Sequence, residues 1–119
     1  MNRFKLSLFT ILLSTIVFSQ SEEDYNSTLE LINKAFNQKE ASLIHNQFSA
    51  DLKSSINEAS FKKMIDSLYV EKSQLQSIDL LMEDDSEKSY LVDFEKGAML
   101  MLLKLDTNNK ISTFKITEY

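Results

Sequence analysis

Residues 75–119, LQSIDLLMEDDSEKSYLVDFEKGAMLMLLKLDTNNKISTFKITEY, decide the fold. Ile78, Leu80 and Met82 alternate with Ser77, Asp79 and Leu81, the period-two pattern of a strand over Leu75–Glu83. The acidic, polar run Asp84–Lys88 reads as a hairpin tip. Tyr90, Val92 and Phe94 then alternate with Leu91, Asp93 and Glu95 as a second strand. Lys96–Gly97 predicts a tight turn, because the one glycine of the chain takes a positive φ that other residues resist. Ala98–Leu105 is apolar everywhere except Lys104, which predicts a central strand covered on both faces. After the polar turn Asp106–Lys110, the apolar residues Ile111, Phe114 and Ile116 are spaced by three and then two. That spacing predicts a fourth strand with a bulge near Ser112.

Upstream of this meander the period changes to that of a helix. Tyr25, Leu29, Ile32 and Phe36 make one apolar stripe over Glu22–Phe36, with Glu22, Glu23 and Asp24 in the first turn, where acids favour the helix dipole. Asn37 stops this helix and, with Glu40, has the form of a capping box for a second one over Lys39–Phe48, burying Ala41, Ile44 and Phe48. Ser49–Ser54 reads as a polar break. Ser55 with Glu58 suggests a cap for a third helix, striped by Phe61, Ile65, Leu68 and Tyr69 and ending near Val70. Three helices followed by a four-stranded antiparallel meander predict an α+β domain with the helices laid on one sheet face. Leu81, Leu91 and half of the third strand then fall on the other face. That excess of apolar surface makes Leu81 and Leu91 candidate interface residues, for a homodimer or another exported protein.

The N-terminal residues set the compartment. Arg3 and Lys5 precede the uncharged stretch Leu6–Phe18 and then small polar residues, the pattern of an export signal. The run is shorter than the roughly 20 apolar residues that a spanning helix needs. The chain thus divides into a signal over residues 1–20 and one domain over 21–119, free in the periplasm or outside the cell with no membrane anchor after cleavage. Removing residues 1–20 from 119 leaves 99, enough for a single core without staples, and the chain has no cysteine. The net charge is −5, and −7 once Arg3 and Lys5 are lost, which repels phosphate backbones and excludes nucleic acid as partner. One glycine cannot build a phosphate cradle, so nucleotide motifs are excluded and no cofactor is expected.

The segments ELINKAFNQKE (30–40), IHNQFSADLK (44–53) and FKKMIDSLY (61–69), followed by SYLVDFEKGAMLMLLKLDTNNKISTFKITEY (89–119), resemble small exported members of the nuclear-transport-factor-two-like (cystatin-like) superfamily. More narrowly, the chain is similar to an uncharacterised exported domain family sometimes found ahead of serine hydrolase domains. The resemblance implies a helix wrapped into a curled sheet, forming a cone with a pocket. Glu71–Lys72–Ser73 stands where such domains commonly carry a glycine.

Within that picture Tyr25, Phe61, Tyr69, Tyr90 and Phe94 are the candidate pocket lining, for a small apolar ligand. Enzymes of the superfamily of the ketosteroid-isomerase type pair a carboxylate base with a tyrosine donor, so Asp79 or Asp93 with Tyr25, Tyr69 or Tyr90 is the catalytic alternative. The two aspartates alternate out of register with the inward residues, and the reading that follows is a non-catalytic binding module. A structural or inhibitory partner of an exported hydrolase is a further alternative. His45, the single histidine, falls toward the polar side of its helix and reads as solvated or edge-packed. Asp84, Asp85 and Glu87 offer oxygens but read as a solvated turn. Asp106–Lys110 begins like a calcium loop and then places Lys110 where a fifth-position oxygen belongs. No metal site is expected.

Overall fold

A computed structural model describes residues 22–84 and 87–119. The expected export signal over residues 1–20 and Asp85 of the expected hairpin tip lie outside the described residues. Four helices precede the sheet: α1 (Glu22–Asn37), α2 (Ser42–His45), α3 (Ala50–Ser55) and α4 (Glu58–Lys72). The strands β1 (Leu75–Glu83), β2 (Lys88–Phe94), β3 (Gly97–Leu105) and β4 (Ile111–Glu118) form an open antiparallel meander in the order β1-β2-β3-β4. The α+β class and the four strands agree with the periodicity. The helical half differs from the expected three helices. The expected Lys39–Phe48 helix is only the single turn α2, and the supposed break at Ser49–Ser54 contains α3. Ser49 makes that helix possible, because its hydroxyl accepts from the Leu52 amide at 3.2 Å. Asn57, rather than Ser55, caps α4 by accepting from the Ser60 amide at 2.8 Å.

The core lies between the helices and one sheet face. Tyr90, Val92 and Phe94 of β2 and Met99, Met101, Leu103 and Leu105 of β3 are buried there against Ile32 and Phe36 of α1 and Phe61, Ile65 and Leu68 of α4. Phe36 meets Phe94 edge-on at 5.7 Å, and Phe61 meets Phe48 and Phe114 at 5.0 and 5.5 Å. Each such side chain, fully buried, contributes roughly 1.5–3 kcal/mol. On the opposite face Leu91, Ala98, Leu100 and Leu102 are half-buried and Asp93 is exposed.

Two polar contacts set how α1 crosses this sheet. The Leu105 amide, next to the bulge that skips Ser112 between Lys104↔Thr113 and Leu105↔Ile111, donates to the Tyr25 hydroxyl at 3.2 Å. At the other end of the helix, the Asn37 carboxamide pairs with the outer edge of β1. Leu75 N–H donates to Oδ1 at 2.8 Å and Nδ2 donates to the Leu75 carbonyl at 3.0 Å. The expected Asn37–Glu40 capping box is therefore not formed, because the side chain of Asn37 is committed to the strand. The helix instead ends in a Schellman turn. Lys39 takes φ 56°, and Glu40 N–H reaches the Ala35 carbonyl at 2.9 Å.

The α4–β1 junction needs a positive φ, and without a glycine Ser73 takes it at 68°. Its hydroxyl donates to Glu95 Oε1 at 2.7 Å, and the Gln74 amide donates to the same oxygen at 3.2 Å. These two donors hold the Glu95 carboxyl below its usual range. Gly97, at φ 146°, opens β3 directly under the Lys72 side chain.

Asn37→Ala removes both bonds to Leu75 and leaves a strand-edge amide and carbonyl to find water. A loss of about 1–3 kcal/mol is expected, read as a lower urea midpoint with an unchanged slope.

Candidate functional site

Because α1 is held over β3 at Tyr25 and over the start of β1 at Asn37, it crosses the strands obliquely. Beyond Leu75, β1 runs out from beneath the helix. The space left between them is a groove of about 350 Å³, lined by Leu29, Glu30, Asn33 and Lys34 of α1 and Ile78 of β1. The apolar stripe of α1 turns accordingly: Tyr25, Thr28, Ile32, Ala35 and Phe36 are buried, and Leu29 is left half-buried on the groove wall.

Next to the groove, Leu80, Leu81 and Met82 are 51%, 48% and 69% exposed. A register shift between Leu80 and Met82 makes Leu81 the bulge residue, so Met82 pairs with Ser89, and the alternation expected of Ile78, Leu80 and Met82 fails at this point. The outer edge of β1 past Leu75 accepts and donates no hydrogen bond among the described residues. The other sheet edge is treated differently. Ser49 N–H donates to the Ile111 carbonyl at 2.8 Å and Ile111 N–H to the Gln47 carbonyl at 2.7 Å, so a short parallel bridge covers the start of β4. Further along β4 the exposed residues are Lys115, Thr117 and Glu118. Polar side chains of this kind protect an edge, whereas Leu80–Met82 do not.

The residues expected to line a pocket lie elsewhere. Tyr25, Phe61, Tyr90 and Phe94 are buried core side chains, and Tyr69 is half-buried with Lys39 Nζ 4.5 Å from its ring centre. None of the five borders the groove. Of the two expected interface residues, Leu81 is the exposed bulge on the open edge and Leu91 is half-buried on the outer sheet face.

The aspartates of the catalytic alternative and its tyrosines do not share a cavity. Asp79 pairs with Leu91 and Asp93 with Ser77, on the outer face and exposed, while Tyr25 and Tyr90 are buried on the helical face. His45 corrects the sequence reading most sharply, being buried rather than on the polar side. Its helix is one turn long, so the angular reading over Lys39–Phe48 had no helix to act on. The ring packs on Phe48 and Phe61 at 5.0 and 6.1 Å, Nε2–H donates to the Ile56 carbonyl at 2.8 Å, and Nδ1 lies 4.0 Å from Glu58. These contacts join α2, α3 and α4.

Asp106 Oδ1 accepts from the Asn108 and Lys110 amides, both at 2.9 Å, and so closes its own turn. No group of three or more potential metal ligands occurs among the described residues. No helix among them is long and apolar enough to cross a membrane.

The groove residues Leu29, Glu30, Asn33, Lys34 and Ile78 could not be picked out in advance, since only the crossing of α1 over β1 brings them together. One signal did exist. Leu80-Leu81-Met82 is three apolar residues in succession on a strand whose neighbours alternate. Comparison of the chain with protein-family models, with curated proteins and with solved structures finds no match.

In the core, burial pushes the Tyr90 hydroxyl up to about 12, helped by the charges of Tyr25, Glu83 and Glu22. A raised folded value means that the stability Tyr90 contributes is whole below pH 10.0. It is lost as the pH rises from 10.0 to about 12, because the unfolded chain gives up the proton first. Urea midpoints measured below pH 10.0 and again near pH 12 are expected to fall less in Tyr90→Phe than in the wild type.

Proposed function

We propose that this chain is an exported, non-catalytic protein-interaction domain that binds through the open edge of β1 and the adjoining α1–β1 groove. The exposed run Leu80–Met82 beside a strand edge that is unpaired among the described residues carries this reading. An isolated exposed leucine is ordinary, but three consecutive large apolar residues on a sheet edge are a template for another chain.

A macromolecular partner suits the groove better than a small ligand. Sites for small ligands enclose most of the ligand surface, and this one has two apolar residues, Leu29 and Ile78, on open walls with Glu30, Asn33 and Lys34 at the rim. The placement of Asp79 and Asp93 on the face away from the tyrosines supports the non-catalytic reading. In this proposal the scaffold is of the nuclear-transport-factor-two-like kind, with the sheet curling toward α1 as in its cone. The partner is met in the periplasm or outside the cell.

A photo-crosslinking side chain placed at Leu81, and separately at Lys53 of α3 by the opposite edge, tests the reading in the native host. A discrete protein adduct at position 81 and none at position 53 is the expected result. Equal labelling at both, or none at 81, would overturn it. Replacing Leu81 and Met82 by aspartate should abolish the adducts of a crosslinker moved to Ile78 while changing stability by no more than about 0.5 kcal/mol, as for other exposed positions.

A further inference from the structure

We propose, building on the interaction surface above, that β1 accepts an extended segment of another protein as a fifth strand along Ser77–Leu80. That segment is apolar, basic, apolar opposite Ile78, Asp79 and Leu80. Among the described residues the edge is free of hydrogen bonds past Leu75, and between its two register shifts β1 keeps an unbroken run of pairs with β2: Ser77↔Asp93, Ile78↔Val92, Asp79↔Leu91 and Leu80↔Tyr90. The shifts on either side confine regular pairing to these four residues, so the site suits a short segment and not a long strand.

A strand added about 4.8 Å away sends alternate side chains to opposite faces. Those beside Ile78 and Leu80 point to the helical face, where the groove and Leu29 offer apolar contact. The one between them points to the outer face beside Asp79. That carboxylate is exposed and makes no ion pair among the described residues, so an opposed Lys or Arg completes a cross-strand pair. At the groove rim Glu30 is balanced by Lys34, and Glu83 at the strand end pairs with Lys88 at 3.4 Å, so Asp79 is the acid of β1 left for a partner among the described residues.

Charge also argues against a second copy in this position. β1, LQSIDLLME, contains Asp79 and Glu83 and no base. Antiparallel pairing of β1 with itself about its midpoint sets Asp79 across from Asp79, between two chains that each carry a net charge of −5. Edge addition by a different protein reverses that penalty, with main-chain bonds giving affinity and the alternating side chains giving selectivity.

Fluorescence anisotropy with a labelled octapeptide of alternating valine and lysine tests the proposal. Saturable binding is expected, lost when alternate backbone amides of the peptide are methylated, and absent for an alternating valine–glutamate peptide. Asp79→Lys should weaken the valine–lysine peptide by at least about tenfold and admit the valine–glutamate one, Asp79→Asn should weaken it less, and Asp51→Lys on the distant α3 should leave it unchanged. Circular dichroism confirms that each variant is folded. Equal binding of the methylated peptide overturns strand addition. Equal effects of Asp79→Lys and Asp51→Lys reduce the attraction to net charge and overturn the assigned register. Failure of both peptides to bind, or a wild-type dimer abolished by Ser77→Pro, overturns the basic partner strand. The crosslink at Leu81 is read independently, so these failures are separable from failure of the interaction surface itself.

Discussion

The placement of α1 rests on two hydrogen-bonded anchors at its ends, and most of what is particular to this molecule follows from them. Tyr25 supplies the acceptor that the Leu105 amide lacks beside the Ser112 bulge, and Asn37 presents donor and acceptor to Leu75 as a neighbouring strand would. Both serve backbone groups that would be costly to leave unpaired in a part-buried position. Since the anchors sit on different strands, the helix must cross the sheet at an angle. That angle buries Ile32 and Phe36 deeply and leaves Leu29 and Ile78 only partly covered.

The sheet consequently has two unlike edges. Near Ile111 the Gln47–Ser49 segment supplies a parallel bridge, and α3 follows it, held by the Ser49 cap. On β1 the Asn37 clasp stops at Leu75, and the strand continues with exposed apolar residues. The bulge at Leu81 limits how far any chain can pair there, a common way of keeping an edge from open-ended aggregation. An edge that is apolar, short and centred on an acid is suited to selective contact, because Asp79 disfavours the symmetric pairing of a second copy of the same strand.

Polar side chains also carry the irregular joints that glycine commonly serves. Ser73 accepts a left-handed conformation where the sole glycine is spent at Gly97, and the Glu95 carboxylate gathers the Ser73 hydroxyl and the Gln74 amide. His45 performs a comparable task among the short helices, with its ring in the aromatic cluster and its Nε2–H on the Ile56 carbonyl. A single histidine in this setting is a structural tie between segments too short to be stable helices alone.

The meander was legible in the chain because alternation, turn residues and the three-then-two spacing near Ser112 are local properties. They marked four strands and a bulge where the structure has them. The long helices α1 and α4 were legible for the same reason, through stripes that recur over several turns. The short segment between them was not. Helices of one or two turns take their stability from caps and tertiary contacts, so periodicity over Lys39–Ser55 misplaced both α2 and His45. The groove and the open edge are further still from local pattern. They exist because Asn37 reaches across 38 residues to Leu75 and Tyr25 across 80 to Leu105, and such contacts leave no period in the sequence. Composition and spacing thus settled which segments are strands and long helices. The oblique seating of α1 and the bulge at Leu81 decided which apolar residues of β1 stay uncovered.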